Sequence, residues 1–169
     1  MIFGMSTETY TLVHVVLSLV GIGSGSIVLS GMFAGKRFNV WTGLFLATTV
    51  ATNVTGFGFP FDHLLPSHKV GIISLVALAV TILARYAFHL AGKWRWIYVV
   101  GAVIALYLNV FVLIVQGFLK VPALKAMAPT QSEPPFLVTQ LIVIALFVVL
   151  GIFAVKKFRN EQMGTAPSS

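Results

Sequence analysis

Four histidines and a set of carboxamides are the side chains whose types suggest chemistry in this 169-residue chain. A neutral imidazole ligates metals and accepts or donates hydrogen bonds. His14 and His68 make a candidate pair for the axial positions of one haem b. His14, His63 and His68 with Glu133 make a candidate set for a divalent cation. A quinone would be held by His14 with Asn109 or Gln140. The wider ligand-binding set is His14, Asn53, His68, Asn109, Gln116, Gln131, Glu133 and Gln140. The chain has no cysteine, which removes thiol catalysis and cysteine-ligated clusters. A GxGxxG-like run at Gly21, Gly23 and Ser26 has no strand before it, so it is no phosphate loop. No nucleophile–base pair and no dense ligand cluster stand out, which points away from an enzyme with its own reaction.

The elements that must position these groups follow from composition. Hydrophobic residues make up 58% and charged residues 9%, against about 25% charged in soluble domains. That profile excludes a soluble or nucleic-acid-binding domain and points to an integral membrane protein. A bilayer core needs about 20 apolar residues per helix. Five stretches qualify, at about 9–34, 40–59, 70–91, 96–119 and 136–155, so the expected fold is an all-α transmembrane bundle of five helices. Residues 1–159 form one transmembrane domain and 160–169 a flexible cytoplasmic tail. The first stretch has no basic residue before it and is too long for a signal peptide, so it reads as retained.

Basic residues set the expected orientation. Lys36, Arg37, Lys93, Arg95, Lys156, Lys157 and Arg159 fall at one end, and Lys69, Lys120 and Lys125 at the other. The expectation is an N-terminus outside, a C-terminus inside, and residence in a bacterial inner membrane. The net charge of +7 is then an orientation signal and calls for no nucleic acid. Arg85, His89, Trp94 and Trp96 read as anchors at the inner interface.

With that orientation, His14 lies about 8 Å below the outer surface and Asn109 about 15 Å. Asn53, Gln116 and Gln140 fall in the same half, so a polar vestibule is expected to open outward. Ser67 is the expected N-cap of the third helix. Gly21/Gly25, Ser26/Ser30 and Gly31/Gly35 are small-xxx-small pairs suited to close helix packing, either within the bundle or against a membrane-protein partner or second copy. The proline-rich segment 120–135 is expected to start with a short helix at Pro122. It then serves as connector, lid or docking segment.

Thr55-Gly56-Phe57, Ala84-Arg85-Tyr86 with His89, and the segment 128–136 resemble small bacterial multi-pass membrane proteins, over most of the chain. The resemblance implies no activity, cofactor or site residue. The layout is also loosely similar to transmembrane b-type cytochromes, but their paired-histidine pattern is missing. The leading expectation is an accessory or ligand-binding inner-membrane protein. The alternatives are a redox component holding haem or quinone near the outer face, and an oligomeric solute or proton pathway.

Overall fold

The computed structural model of the chain describes residues 2–62 and 66–160, with side chains through 158. The described residues form helices α1 (Thr7–Phe33), α2 (Asn39–Gly56), α3 (Pro66–Ile82), α4 (Trp94–Lys120), α5 (Pro122–Met127) and α6 (Pro134–Asn160), with a π-helical turn Leu83–Ala87 continuing α3.

The long helices alternate in direction, and their cross-contacts fix the register. The Tyr10 hydroxyl of α1 donates to the Thr55 carbonyl of α2 at 2.8 Å. At the other end Gly31 lies against Phe38, just before α2. Asn53 of α2 meets Ser74 of α3, Gly101 of α4 lies on Thr81 of α3, and Gly151 of α6 faces Val103 of α4. Helices α1, α2, α3 and α4 close into a ring, while α6 packs outside it against α4 and α1.

Among the described residues four helices, not five, are long and apolar enough to cross a membrane: Thr7–Phe33, Pro66–Ala87, Trp94–Lys120 and Pro134–Phe158. The exception is α2. Its buried face carries Thr42, Thr48, Thr49 and Thr52, while Val40, Leu44, Ala47 and Val54 point outward. A helix that turns threonines to the ring interior loses average apolarity even where its outer face is greasy. Its hydroxyls cost little there, because Thr48 and Thr52 donate to the carbonyls of Leu44 and Thr48; such bonds satisfy the group within its own helix.

Burial is uneven along the ring. Met32, Phe45, Leu46, Leu78, Val99, Ala102 and Leu106 pack a continuous core toward the end where α1 finishes and α4 starts. That end carries Lys36, Arg37, Lys93, Arg95, Lys156 and Lys157, and is called the basic end below. The close approach of α1 depends on its glycines. A Cβ on Gly25 would stand 2.8 Å from Leu106 Cδ1 and from Phe45 Cδ2. Gly21, Gly25 and Gly31 therefore close on α2, α4 and the α1–α2 loop of the same chain.

The termination of α3 departs from the expected plain helix. Phe88 N–H donates to the Leu83 carbonyl and Leu90 N–H to Ala84. These wide bonds accompany a left-handed run at His89 (φ 48°), Leu90 (φ 59°) and Gly92 (φ 52°). The helix thus ends before His89, short of the expected residue 91. It begins at Pro66, so Ser67 lies inside the first turn and is not its cap. At the other extreme α6 continues to Asn160, beyond the expected 155, and the expected tail lies almost wholly outside the described residues.

Candidate functional site

The end opposite the basic one is less tightly packed, and a cavity of about 500 Å³ opens among α1–α4. Small-molecule sites commonly fall between about 300 and 1,000 Å³. Three polar residues of α1 share its wall, Thr11, His14 and Ser18, at helical i, i+3, i+7 spacing. Thr52 and Asn53 come from α2, Ser74 and His68 from α3, and Asn109, Gln116 and Lys120 from α4. Leu19, Leu108 and Val112 supply apolar wall. At 1.5 Å per residue, Lys120 stands about 16 Å and Gln116 about 10 Å nearer the open end than Asn109.

His14 is held from two sides. Its Nδ1 lies 2.8 Å from Thr55 Oγ1, and its ring stands edge-on to Phe59, with centroids 5.3 Å apart. The Thr55 hydroxyl has one hydrogen, and its best acceptor is the Ala51 carbonyl at 2.7 Å. We assign that hydrogen to Ala51, so that Thr55 Oγ1 accepts from His14 Nδ1–H. The neutral ring carries its proton on Nδ1 and presents Nε2 as a lone pair, an assignment that follows from the hydrogen-bond network. Tyr10 stacks edge-on with Phe59 at 5.0 Å and completes this corner.

Across the ring, His68 is buried between Phe57 and Phe61, at centroid distances of 5.3 and 4.2 Å. Asn53 donates Nδ2–H to the Thr49 carbonyl at 2.7 Å and to Ser74 Oγ at 3.1 Å. Asn109, 7% exposed, accepts from Ser18 Oγ through Oδ1 at 3.1 Å. Its Nδ2 is buried without a partner, as is Thr49 Oγ1, and a Cβ on Gly21 would stand 3.1 Å from each atom. This layer forms the cavity floor, and Phe45 and Leu106, which flank Gly25, lie one helical turn beyond it.

Five of the eight sequence-selected ligand residues thus share one cavity: His14, Asn53, His68, Asn109 and Gln116. The other three stand apart. Gln140 reaches the Phe111 carbonyl at 3.4 Å, on the α4–α6 contact outside the ring. Gln131 donates to the Val115 carbonyl at 2.8 Å. Glu133 closes the loop just before α6, taking Thr130 N–H and Oγ1–H on Oε1 and Ser132 N–H on Oε2. These bonds, the Thr130 hydroxyl first, hold its carboxyl below the usual range. Helix α5 in segment 120–135 packs on α4, and Ala128 is buried with Phe118 and Phe136.

Of the expected divalent-metal set, His63 lies outside the described residues and Glu133 is bonded to Thr130 and Ser132. Among the described residues no group of three or more His, Asp or Glu could hold a metal ion. At the basic end, Arg85 does not extend freely to an interface. Its Nη2 donates to Asn39 Oδ1 at 2.6 Å and its guanidinium lies over the rings of Tyr98 and Tyr86. Trp94 stacks on Phe88 with centroids 3.8 Å apart, whereas Trp96 and His89 are exposed.

Thr11, Ser18, Thr55 and Lys120 were not among the selected residues. The signal for the first two was present, because Thr11, His14 and Ser18 repeat at helical spacing on an otherwise apolar helix. Thr55 repeats with Thr48 and Thr52 at i, i+4, i+7, but its contact with His14 exists only because α2 lies beside α1.

The chain matches no protein-family model, no curated protein and no solved structure. The resemblance to small bacterial multi-pass proteins therefore stands only at its coarser level: four apolar helices of spanning length make this a multi-pass membrane protein by composition and architecture.

Proposed function

We propose that the protein is a membrane-embedded binding protein that holds a small amphipathic molecule in the α1–α4 cavity, without a reaction of its own. The supporting observation is the convergence of His14, Asn53, His68, Asn109 and Gln116 on one cavity of about 500 Å³ in an otherwise apolar bundle. Polar groups inside a membrane protein are costly and mark ligand paths, and here they converge from four helices. The apolar outer faces of α2 and α6 meet lipid. Basic residues at one end orient the bundle with that end in the cytoplasm, so the cavity opens toward the outer face of a bacterial inner membrane.

The test is extraction. Protein purified in mild detergent is stripped with organic solvent and the extract examined by mass spectrometry. A stoichiometric small molecule supports binding. Gly56→Leu should abolish it, because a Cβ there meets only His14 Cε1, at 3.6 Å, so the larger side chain fills the cavity without striking backbone. A protein that never retains a molecule, in detergent or native lipid, would overturn the reading.

Two imidazoles on one cavity favour the redox alternative, in which haem or quinone is the ligand. A visible absorption spectrum separates the cases: a Soret band lost in both His14→Ala and His68→Ala would replace the accessory reading by a haem protein. The pathway alternative meets an obstacle in the buried Phe45 and Leu106 beneath the floor. Liposome flux unaltered by Asn109→Leu would count against it.

A further inference from the structure

From the hydrogen-bond inventory of the cavity wall we infer that the bound molecule presents hydroxyl hydrogens, as a hydroquinone or related phenol does, and that its oxidised or O-alkylated form is discriminated against. This rests on the cavity being a binding site and adds the chemistry of its occupant.

The inventory is complete for the wall formed by α1 and α2. Thr11 donates its hydroxyl to the Thr7 carbonyl at 2.8 Å, Ser18 to Asn109 Oδ1 at 3.1 Å and Thr52 to the Thr48 carbonyl at 2.8 Å. Asn53 uses its amide hydrogens on Thr49 and Ser74. Thr55 holds the proton of His14 on Nδ1. What remains on this wall is a set of lone pairs: His14 Nε2 and Asn53 Oδ1, neither of which has a protein partner among the described residues. Donors lie on α4: the unpartnered Nδ2 of Asn109 at the floor, and Gln116 and Lys120 nearer the mouth.

A ligand that fits this division donates toward α1 and α2 and accepts from α4. A phenolic hydroxyl does both with one oxygen. A quinone carbonyl only accepts, and set against the α1–α2 wall it leaves His14 Nε2 facing another lone pair. A carboxylate or phosphate meets the same mismatch. An alkylammonium would donate well, but Lys120 at the mouth opposes a cation. The aromatic edges of Phe57 and Phe59, both on the cavity wall, suit a ring next to the polar head.

The experiment compares three probes with nearly the same apolar body: a short-tailed hydroquinone kept reduced under anaerobic conditions, its oxidised quinone, and its dimethyl ether. Dissociation constants are measured on the full chain in nanodiscs. One hydrogen bond gained against one unmatched lone pair should favour the hydroquinone about tenfold over both others, equivalent to about 1.4 kcal/mol. The ether arm separates hydrogen donation from redox state. His14→Phe should bring the three constants within about twofold of one another. Thr55→Val keeps the imidazole but releases its tautomer; it should weaken the preference while far-UV circular dichroism stays native, which also covers failure of the His14 variant to fold.

Equal binding of all three probes overturns the inference and leaves the binding reading intact. So does failure of all three when a native molecule still co-purifies. If no probe binds and nothing co-purifies, the binding reading falls with it. A Soret band dependent on His14 would assign Nε2 to iron and also overturn the inference.

Discussion

Adding one methyl group at Gly25 tests the placement of α1 directly. The added carbon would stand 2.8 Å from Leu106 Cδ1 and 2.8 Å from Phe45 Cδ2 and Cε2. Comfortable carbon–carbon separations are about 3.5–4.0 Å, so something must yield by most of an ångström. Phe45 is 1% exposed and Leu106 3%, so neither side chain has open space to move into. Overpacking of this kind costs about 1–3 kcal/mol. Gly23, half a turn away, is the internal control, because a Cβ there meets nothing within 4 Å. Both substitutions gain the same helix propensity, up to about 1 kcal/mol, so the difference between them isolates the clash. At about 2–4 °C per kcal/mol for a chain of this length, Gly25→Ala should melt about 4–8 °C below Gly23→Ala for a mid-range clash. Thermal unfolding in detergent, followed by far-UV circular dichroism, gives the comparison. Equal melting temperatures, or a lower one for Gly23→Ala, would mean that α1 is rotated from the orientation described. A Gly25→Ala variant that only dissociates an oligomer would place the glycine face between copies instead of within the ring.

Further expectations follow from other contacts. Asn53 donates two hydrogen bonds and Asn109 accepts one while leaving a buried N–H unpaired; at about 0.6 kcal/mol per bond in a membrane bundle, Asn53→Leu should destabilise more than Asn109→Leu in denaturation by sodium dodecyl sulfate, and the reverse order would refute the pairing. The Glu133 carboxyl titrates below its ordinary value, so the folded state binds fewer protons there than the unfolded one. Its contribution is present above the unfolded value of about 4.3 and is lost as pH falls through the lower folded one; the melting temperature of Glu133→Gln should vary less with pH across that acid window than that of the native chain. Arg85→Lys should lose both the Asn39 contact and the stacking over Tyr98, lowering stability by about 1 kcal/mol, and a neutral result would show that Arg85 serves only as a charge. Since the chain has no cysteine, single substitutions report topology cleanly: on intact cells, Lys36→Cys should resist a membrane-impermeant maleimide and Lys125→Cys should react, and equal labelling would refute the proposed orientation.

Composition alone determined that this chain belongs in a bilayer, because 58% hydrophobic residues in long uninterrupted runs can satisfy their backbone only as helices. Periodicity alone could also place His14, Asn53 and Asn109 toward the same end, since helix rise converts residue number into depth. The apolar count misjudged α2, and only tertiary structure shows why: Thr42, Thr48, Thr49 and Thr52 line the inside of a ring, where a hydroxyl bonded to its own helix is tolerated. Sequence left Gln131, Glu133 and Gln140 beside the histidines because depth says nothing about azimuth. The fold set Gln140 on the α4–α6 contact and tied Glu133 to Thr130 and Ser132. The tautomer assigned to His14 also rests on tertiary structure. It depends on Thr55, 41 residues away, being brought alongside by the glycines of α1 and having already given its only hydrogen to Ala51.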